Sequence, residues 1–177
     1  GKRVGIVGMG GNGRRLAQLL APFQVTIRAT DYYPVRQPQE VSELWGAERL
    51  EELASVSDIL ILALPLNRST RQLISARIFA AMPKGSYLVN VARGQVVDES
   101  ALIDALVSGH LAAAGLDVTY EEPLPASSPL WERRVDDSTR FAVDNLQRFF
   151  ANQPLLNRVD KTLGFPHPDV MVVNNPQ

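Results

Sequence analysis

The sequence predicts an α/β chain: a doubly wound parallel sheet with helices on both faces. Three observations carry this expectation. Short apolar or β-branched runs alternate with stretches of helical periodicity along most of the 177 residues. One run, Asp58 to Leu64 (DILILAL), is apolar almost throughout, as a strand covered on both faces must be. A glycine-rich segment, Gly8 to Gly13, stands between the first strand pattern and the first helix pattern.

The elements follow in order. Val4 to Gly8 is a short apolar strand. Arg14 to Ala21 repeats Leu16, Leu19 and Leu20 at helical spacing, and Pro22 stops it. Val25 to Thr30 is rich in β-branched residues and reads as the second strand. Residues 34–38 form a loop bounded by prolines, and Glu48 to Val56 a short helix with Leu50 and Leu53 on one face. After the Asp58–Leu64 strand, Pro65 ends the run, and Thr70 to Met82 is predicted helical. The Pro83-Lys84-Gly85 turn leads into a fourth strand, Ser86 to Val91. Asp98 is placed to cap the helix Glu99 to Ser108, and Gly109 stands where a C′ glycine belongs. Ala112 to Val118 makes the fifth strand, a proline-rich loop runs from Glu121 to Pro129, and Val135 to Asn152 reads as a last long helix. The expected division is a nucleotide-binding domain over residues 1–152 and an extended tail over 153–177.

Composition narrows the function classes. The chain is 45% hydrophobic and 21% charged, which fits a folded domain. Eighteen basic against nineteen acidic residues leave a net charge of -1, with no basic excess for nucleic-acid binding. Cysteine is absent, and with it disulfides, thiolate nucleophiles and Cys-ligated metals; two histidines, His110 and His167, leave little for a metal site, and none is expected. No apolar run approaches the roughly 20 residues that span a bilayer. No signal-peptide layout is visible, so a soluble, cytoplasmic protein is expected. A chain that opens on a core strand is itself expected to be an excised part of a longer one.

Gly8-Met9-Gly10-Gly11-Asn12-Gly13 matches G-x-G-x-x-G, and Asp31, at the end of the next strand, lies 23 residues after Gly8. That spacing is the fingerprint of a Rossmann dinucleotide site. Gly8 permits the tight turn, Gly10 lets a pyrophosphate approach the backbone, and Gly13 lets the helix pack against the strand. The helix N-terminus supplies free N–H groups and the positive end of a dipole. Asp31 can accept both ribose hydroxyls and repels a 2′-phosphate, which favours NAD over NADP. Arg28 and Arg36 lie close by in sequence and leave the phosphate open. Arg93 directly follows a buried strand, and arginine is suited to bidentate capture of a carboxylate. On spacing alone, Arg93 is equally a surface ion-pair partner and Glu122 a solvated loop residue.

The segments VGIVGMGGNGRRLA (4–17), DILILALPLNRSTRQLI (58–74), YLVNVARGQVVDESALIDALVSGHLAAAGLDV (87–118) and EEPLP (121–125) together resemble the nucleotide-binding domain of the D-isomer-specific 2-hydroxyacid dehydrogenases. The resemblance implies NAD as cofactor, a small 2-hydroxy or 2-oxo acid as substrate, and a homodimer. It places Gly11 and Asn12 in the pyrophosphate loop and Asp31 on the adenosine ribose. Leu64, Pro65 and Thr70 would line the cofactor, Val91 and Ala92 would lie near the nicotinamide, and Asp117 would face its carboxamide side. Arg93 would bind the substrate's carboxylate and 2-oxo group. Glu122 would hydrogen-bond a catalytic histidine and raise its pKa. The family carries that histidine after the EEPLP-like loop, at the end of one more strand. Here the chain runs from Pro129-Leu130-Trp131 straight to Val135, so strand and histidine are missing and a segment is expected to be absent near 132–135. His110 is expected to serve a helix C-terminus, and His167 lacks the preceding strand. Two other readings stay open: an NAD(H)-binding sensor of the corepressor kind, and an inactive fragment.

Overall fold

A computed structural model describes residues 1–33 and 35–131. The chain divides into two compact units, Gly1–Pro129 and Leu130–Gln177; of the second, only Leu130 and Trp131 are described. The expected final helix and the 152/153 boundary therefore lie outside the described residues, as do residues 132–135 and His167.

In the first unit six strands form one sheet: β1 (Arg3–Val7), β2 (Thr26–Asp31), β3 (Glu43–Gly46), β4 (Ile59–Leu62), β5 (Ser86–Asn90) and β6 (Leu111–Leu116). They are all parallel in the order β3-β2-β1-β4-β5-β6. The chain steps outward from β1 through β2 to β3, then returns to the other side of β1 with β4. The order thus reverses between β1 and β4, and an open α/β sheet binds its ligand beyond the strand ends at such a point.

Among the described residues four α-helices flank the sheet: α1 (Gly11–Leu20), α2 (Leu50–Ser55), α3 (Ala76–Ala81) and α4 (Glu99–Val107). A side chain at Gly13 would approach Ile6, whereas one at Gly5 would meet Leu53 and Ser57. Successive strand residues face opposite sides, so α1 and α2 lie on opposite faces of β1. Under α1, Val4, Ile6, Ala17, Ile27, Ala29 and Ile61 form a buried cluster. Leu60, Ile61 and Leu62 are all buried, which explains the unbroken apolar run of β4. Among the described residues no helix is long and apolar enough to cross a membrane.

Two expectations need correction. The sheet has six strands, not five: Glu43–Gly46 pairs in parallel with β2. Every residue of this short edge strand is half-exposed, so it carries no apolar signature. Pairing holds it instead, through Ser42 N–H on the Ile27 carbonyl (2.8 Å) and an Arg28–Glu43 ion pair at 2.8 Å. The predicted helix Thr70–Met82 is also too long. Only Ala76–Ala81 is helical, and Gln72 takes a positive φ of 50°. The N–H groups that a helix would use go to neighbouring backbone: Gln72 to Gln95 at 2.8 Å, and Ile74 to Val96 at 3.1 Å. Tertiary pairing overrides helical periodicity here. The cap of α4 is as expected, with Asp98 accepting from the Ala101 N–H at 3.2 Å and Gly109 at φ +69°.

Arg3 and Asp58 lock the N-terminal ends of β1 and β4. The guanidinium donates to Oδ1 at 2.6 Å and to Oδ2 at 3.2 Å, and the Arg3 N–H reaches Oδ2 at 2.8 Å. The Arg3 guanidinium first, and its backbone N–H second, hold the Asp58 carboxyl down to about 2. A depressed carboxylate stabilises the fold above the unfolded value of 3.8, and that stability fades as pH falls towards 2. Allowing for partial exposure, about 1–2 kcal/mol is at stake. Unfolding midpoints measured from pH 5 to pH 2 should therefore fall less steeply in Arg3→Gln than in the unaltered chain.

Candidate dinucleotide-binding site

Register brings the sequence-predicted residues to one edge. Val7 is level with Thr30 and Leu62, Leu62 with Asn90, and Asn90 with Leu116. Gly8, Asp31, the 63–65 segment, Val91 and Asp117 therefore follow the C-terminal ends of five neighbouring strands. Gly8 has φ +96°, and its N–H bonds the Thr30 carbonyl at 2.8 Å. A side chain there would strike the Ala63 carbonyl oxygen at 2.7 Å, with Leu64 at 3.0 Å. Gly13 meets the Gly8 carbonyl so closely that α1 could not begin there with any larger residue.

Gly10 and Gly11 differ. A Cβ on either meets nothing within 4 Å, and both residues are exposed. Gly10 is the N-cap of α1 and supplies no side-chain acceptor, so the first-turn N–H groups around Asn12 are left for a ligand. Asp31 is half-buried beside this turn. Its Oδ2 accepts the Met9 N–H at 2.6 Å and its Oδ1 the Tyr33 N–H at 3.0 Å. A carboxylate has about four acceptor positions, so two remain. A cavity of about 400 Å³ opens next to it, lined among others by Tyr32, Tyr33, Gln37 and Trp45.

On the β4 side, the loop holding Leu64, Pro65 and Thr70 is built by its own hydrogen bonds. Thr70 Oγ1 donates to the Pro65 carbonyl at 2.8 Å and accepts the Asn67 N–H at 2.7 Å, while Asn67 Oδ1 accepts from Ser69 and Thr70. On the β5 side, Val91 N–H bonds Leu62 O at 3.3 Å, Ala92 is buried, and Arg93 is exposed. One Arg93 guanidinium nitrogen, Nη1, donates to the Ala92 carbonyl at 2.6 Å. Gly94 packs on the Thr119 backbone, and Gln95 Nε2 donates to the Tyr120 carbonyl at 2.9 Å, which joins the Arg93 loop to the loop bearing Glu122. Glu122 is exposed and accepts the Thr119 N–H at 3.1 Å, while the exposed Asp117 bonds through its N–H to Asn90 O at 3.0 Å.

Sequence reasoning missed Asn90. This residue is 1% exposed; its Nδ2 donates to the Arg93 carbonyl and its Oδ1 accepts the Ala92 N–H, both at 3.0 Å. It closes the turn that presents Arg93. The available signal was an amide side chain inside an apolar strand, three residues before the arginine. Asn90→Ala should cost about 1–3 kcal/mol, because it strands the buried Ala92 N–H and leaves the Arg93 carbonyl with the Val96 N–H as its remaining donor, at 3.2 Å. A thermal or urea melt measures the loss.

His110 does serve a helix C-terminus, but the terminus is that of α3 rather than of the helix it follows. Its Nε2 lies 2.8 Å from Phe79 O and 3.0 Å from Met82 O. Both partners are acceptors, so Nε2 carries the proton. This places the ring in the packing of α3. Among the described residues no group of three or more His, Cys, Asp or Glu side chains could hold a metal ion.

The doubly wound sheet, the open glycine turn and the acid at the end of β2 define a dinucleotide-binding domain of the Rossmann type. The D-isomer specific 2-hydroxyacid dehydrogenase NAD binding domain matches residues 1–135, and the chain belongs to that family. An uncharacterized protein from the proB 3′ region of Corynebacterium melassecola is 34% identical over 179 residues, covering 93% of this chain and 59% of that protein. Glyoxylate/hydroxypyruvate reductase B of Serratia proteamaculans is 44% identical over 131 residues, 73% of this chain and 40% of the reductase. A D-isomer specific 2-hydroxyacid dehydrogenase from Xanthobacter autotrophicus Py2, solved with NADPH and MES, superposes with a TM-score of 0.71 at 38% identity, covering 93% of this chain and 56% of that one. The chain thus spans between two fifths and three fifths of the length of these relatives. The residues present fit a nicotinamide dinucleotide: the open approach at Gly10 and Gly11 suits a pyrophosphate, and the spare acceptor positions of Asp31 suit a ribose diol.

Proposed function

We propose that this chain is the nucleotide-binding part of an enzyme that moves hydride between NAD(H) and C2 of a small D-2-hydroxy or 2-oxo acid. The observation that carries the reading is Asp31, half-buried at the end of β2 and bonded to the backbone of an otherwise open glycine turn. The turn and the α1 N-terminus would hold the pyrophosphate, with Leu64, Pro65 and Thr70 along one side. Val91, Ala92 and Asp117 would border the nicotinamide, the ring that supplies or accepts the hydride. Arg93 would orient the acid by its carboxylate and polarise the 2-oxo group. Glu122 would hold and raise the pKa of a histidine that exchanges a proton with the C2 oxygen. In the family that histidine follows the EEPLP-like loop, and between Trp131 and Val135 this sequence holds none. A homodimer is the assembly the family resemblance supports, and sedimentation velocity would test it.

The test is binding against turnover. The chain should bind NADH, detected by nicotinamide fluorescence. Loss of a positioned acid/base removes about 10²–10⁴-fold in rate, so glyoxylate or hydroxypyruvate should be reduced poorly or not at all. Steady NADH consumption that Arg93→Ala abolishes would show that another residue of this chain does the histidine's work. Failure to bind NADH would overturn the reading itself.

A further inference from the structure

The segment between β2 and β3 is tied down at several points. Asp31 bonds Met9 at its start, and at its end Gln37 Nε2 donates to the Val41 carbonyl at 2.7 Å and the Ser42 carbonyl at 3.2 Å. Between these anchors, Arg14 Nη2 reaches across from α1 and donates to the Arg36 backbone carbonyl at 2.8 Å. Arg14 is itself fixed at the start of α1, where its N–H bonds the Gly10 carbonyl at 3.0 Å. A cation at the positive end of a helix gains nothing from the dipole, so helix stability does not account for an arginine there. Its hydrogen bond across to Arg36 gives it a different task. The 400 Å³ cavity has Asp31, Tyr32, Tyr33, Val35 and Gln37 in its wall, so the segment Arg14 restrains is also the wall of that cavity.

We propose that Arg14 is a positioning residue for the adenosine half of the dinucleotide. It latches residues 35–37 to α1 and thereby holds the Tyr32–Tyr33 corner in place beside Asp31. The proposal rests on the assignment of Asp31 to the adenosine ribose. The guanidinium acts through the Arg36 carbonyl, not through contact with the cofactor. Ordering the loop before binding spares the ligand that entropic cost, so removal of the latch weakens every ligand that carries adenosine and spares those that lack it.

The experiment compares the unaltered chain with Arg14→Ala, and with Arg14→Gln, which keeps good helix propensity and a long stem should the alanine variant fold poorly. In the absence of ligand, hydrogen exchange at the Tyr33 amide, which donates to Asp31 Oδ1 at 3.0 Å, should quicken by about fivefold or more, the worth of one charge-assisted hydrogen bond. Calorimetric titration should show ADP-ribose and NADH weakened about five- to tenfold, with nicotinamide mononucleotide unchanged. Unchanged exchange with weakened ADP-ribose would mean direct contact with phosphate and would overturn the latch. Equal weakening of nicotinamide mononucleotide would overturn the restriction to adenosine. If the unaltered chain binds neither ADP-ribose nor NADH, the assignment of Asp31 fails and the proposal falls with it. If it binds both and the variants change nothing, the proposal alone is overturned.

Discussion

Gly13→Ala should melt well below the unaltered chain and bind dinucleotide more weakly. The added methyl would sit 2.0 Å from the Gly8 carbonyl oxygen and 3.0 Å from its carbon. Both obstacles are backbone, so no side-chain rotation relieves the contact. Either α1 retreats from β1, which opens the packing of Ala17 on Ile6, or the Gly8 turn distorts and its bond to Thr30 breaks. Overpacking of this kind costs about 3 kcal/mol or more, a large share of the roughly 5–15 kcal/mol that holds a domain together. The control is Gly10→Ala, whose methyl meets nothing within 4 Å. It should melt with the unaltered chain yet bind NADH at least tenfold more weakly, because the methyl occupies the approach to the backbone that a pyrophosphate needs. A melt and an NADH titration on the two variants separate the glycine that builds the turn from the glycine that receives the ligand. Equal melting temperatures for Gly13→Ala and the unaltered chain would refute the steric argument.

Asp31 should set the choice between the two nicotinamide dinucleotides. NADH is expected to bind more tightly than NADPH, since a 2′-phosphate would bring like charge against the carboxylate. Arg28 does not rescue the phosphate. Its Nε is paired with Glu43 at 2.8 Å, and as residue 28 it points to the opposite face of β2 from residue 31. In Asp31→Ser, NADH should weaken about 10- to 100-fold through loss of two charge-assisted hydrogen bonds. NADPH should change far less, so the gap narrows from the NADH side. Paired titrations check both affinities, and tighter NADPH binding by the unaltered chain would contradict the account.

The strands with strong apolar or β-branched character were legible in the sequence to within two residues, as were the Asp98 cap and the C′ Gly109. Their signals are local: alternation, capping chemistry, a turn that demands glycine. Residues 43–46 and 70–75 were not legible, for one reason in two forms. Glu43–Gly46 becomes a strand because β2 offers it a partner, and Thr70 to Ser75 avoids the helix its periodicity suggests because Gln95 and Val96 take the N–H groups of Gln72 and Ile74. Such competition between non-local partners leaves no trace in a window of ten residues. The site shows the same division. Gly8, Gly10, Gly13 and Asp31 declare themselves by spacing, whereas Arg93 and Glu122 gain meaning only from the family resemblance. Asn90 stayed hidden because its work is done on backbone groups that carry no sequence signal.

The pairing that shortened the third helix has a mechanical side. Ile74 bridges Val97, Gln72 N–H bonds Gln95 O, Gly94 lies against Thr119, and Gln95 reaches Tyr120. The loops that follow β4, β5 and β6 are thereby tied to one another. The segment after β2 is moored to α1 instead. Sequence drift around residues 32–37 can therefore reshape the crevice beside Asp31 without disturbing the spacing of the loops that carry Arg93 and Glu122.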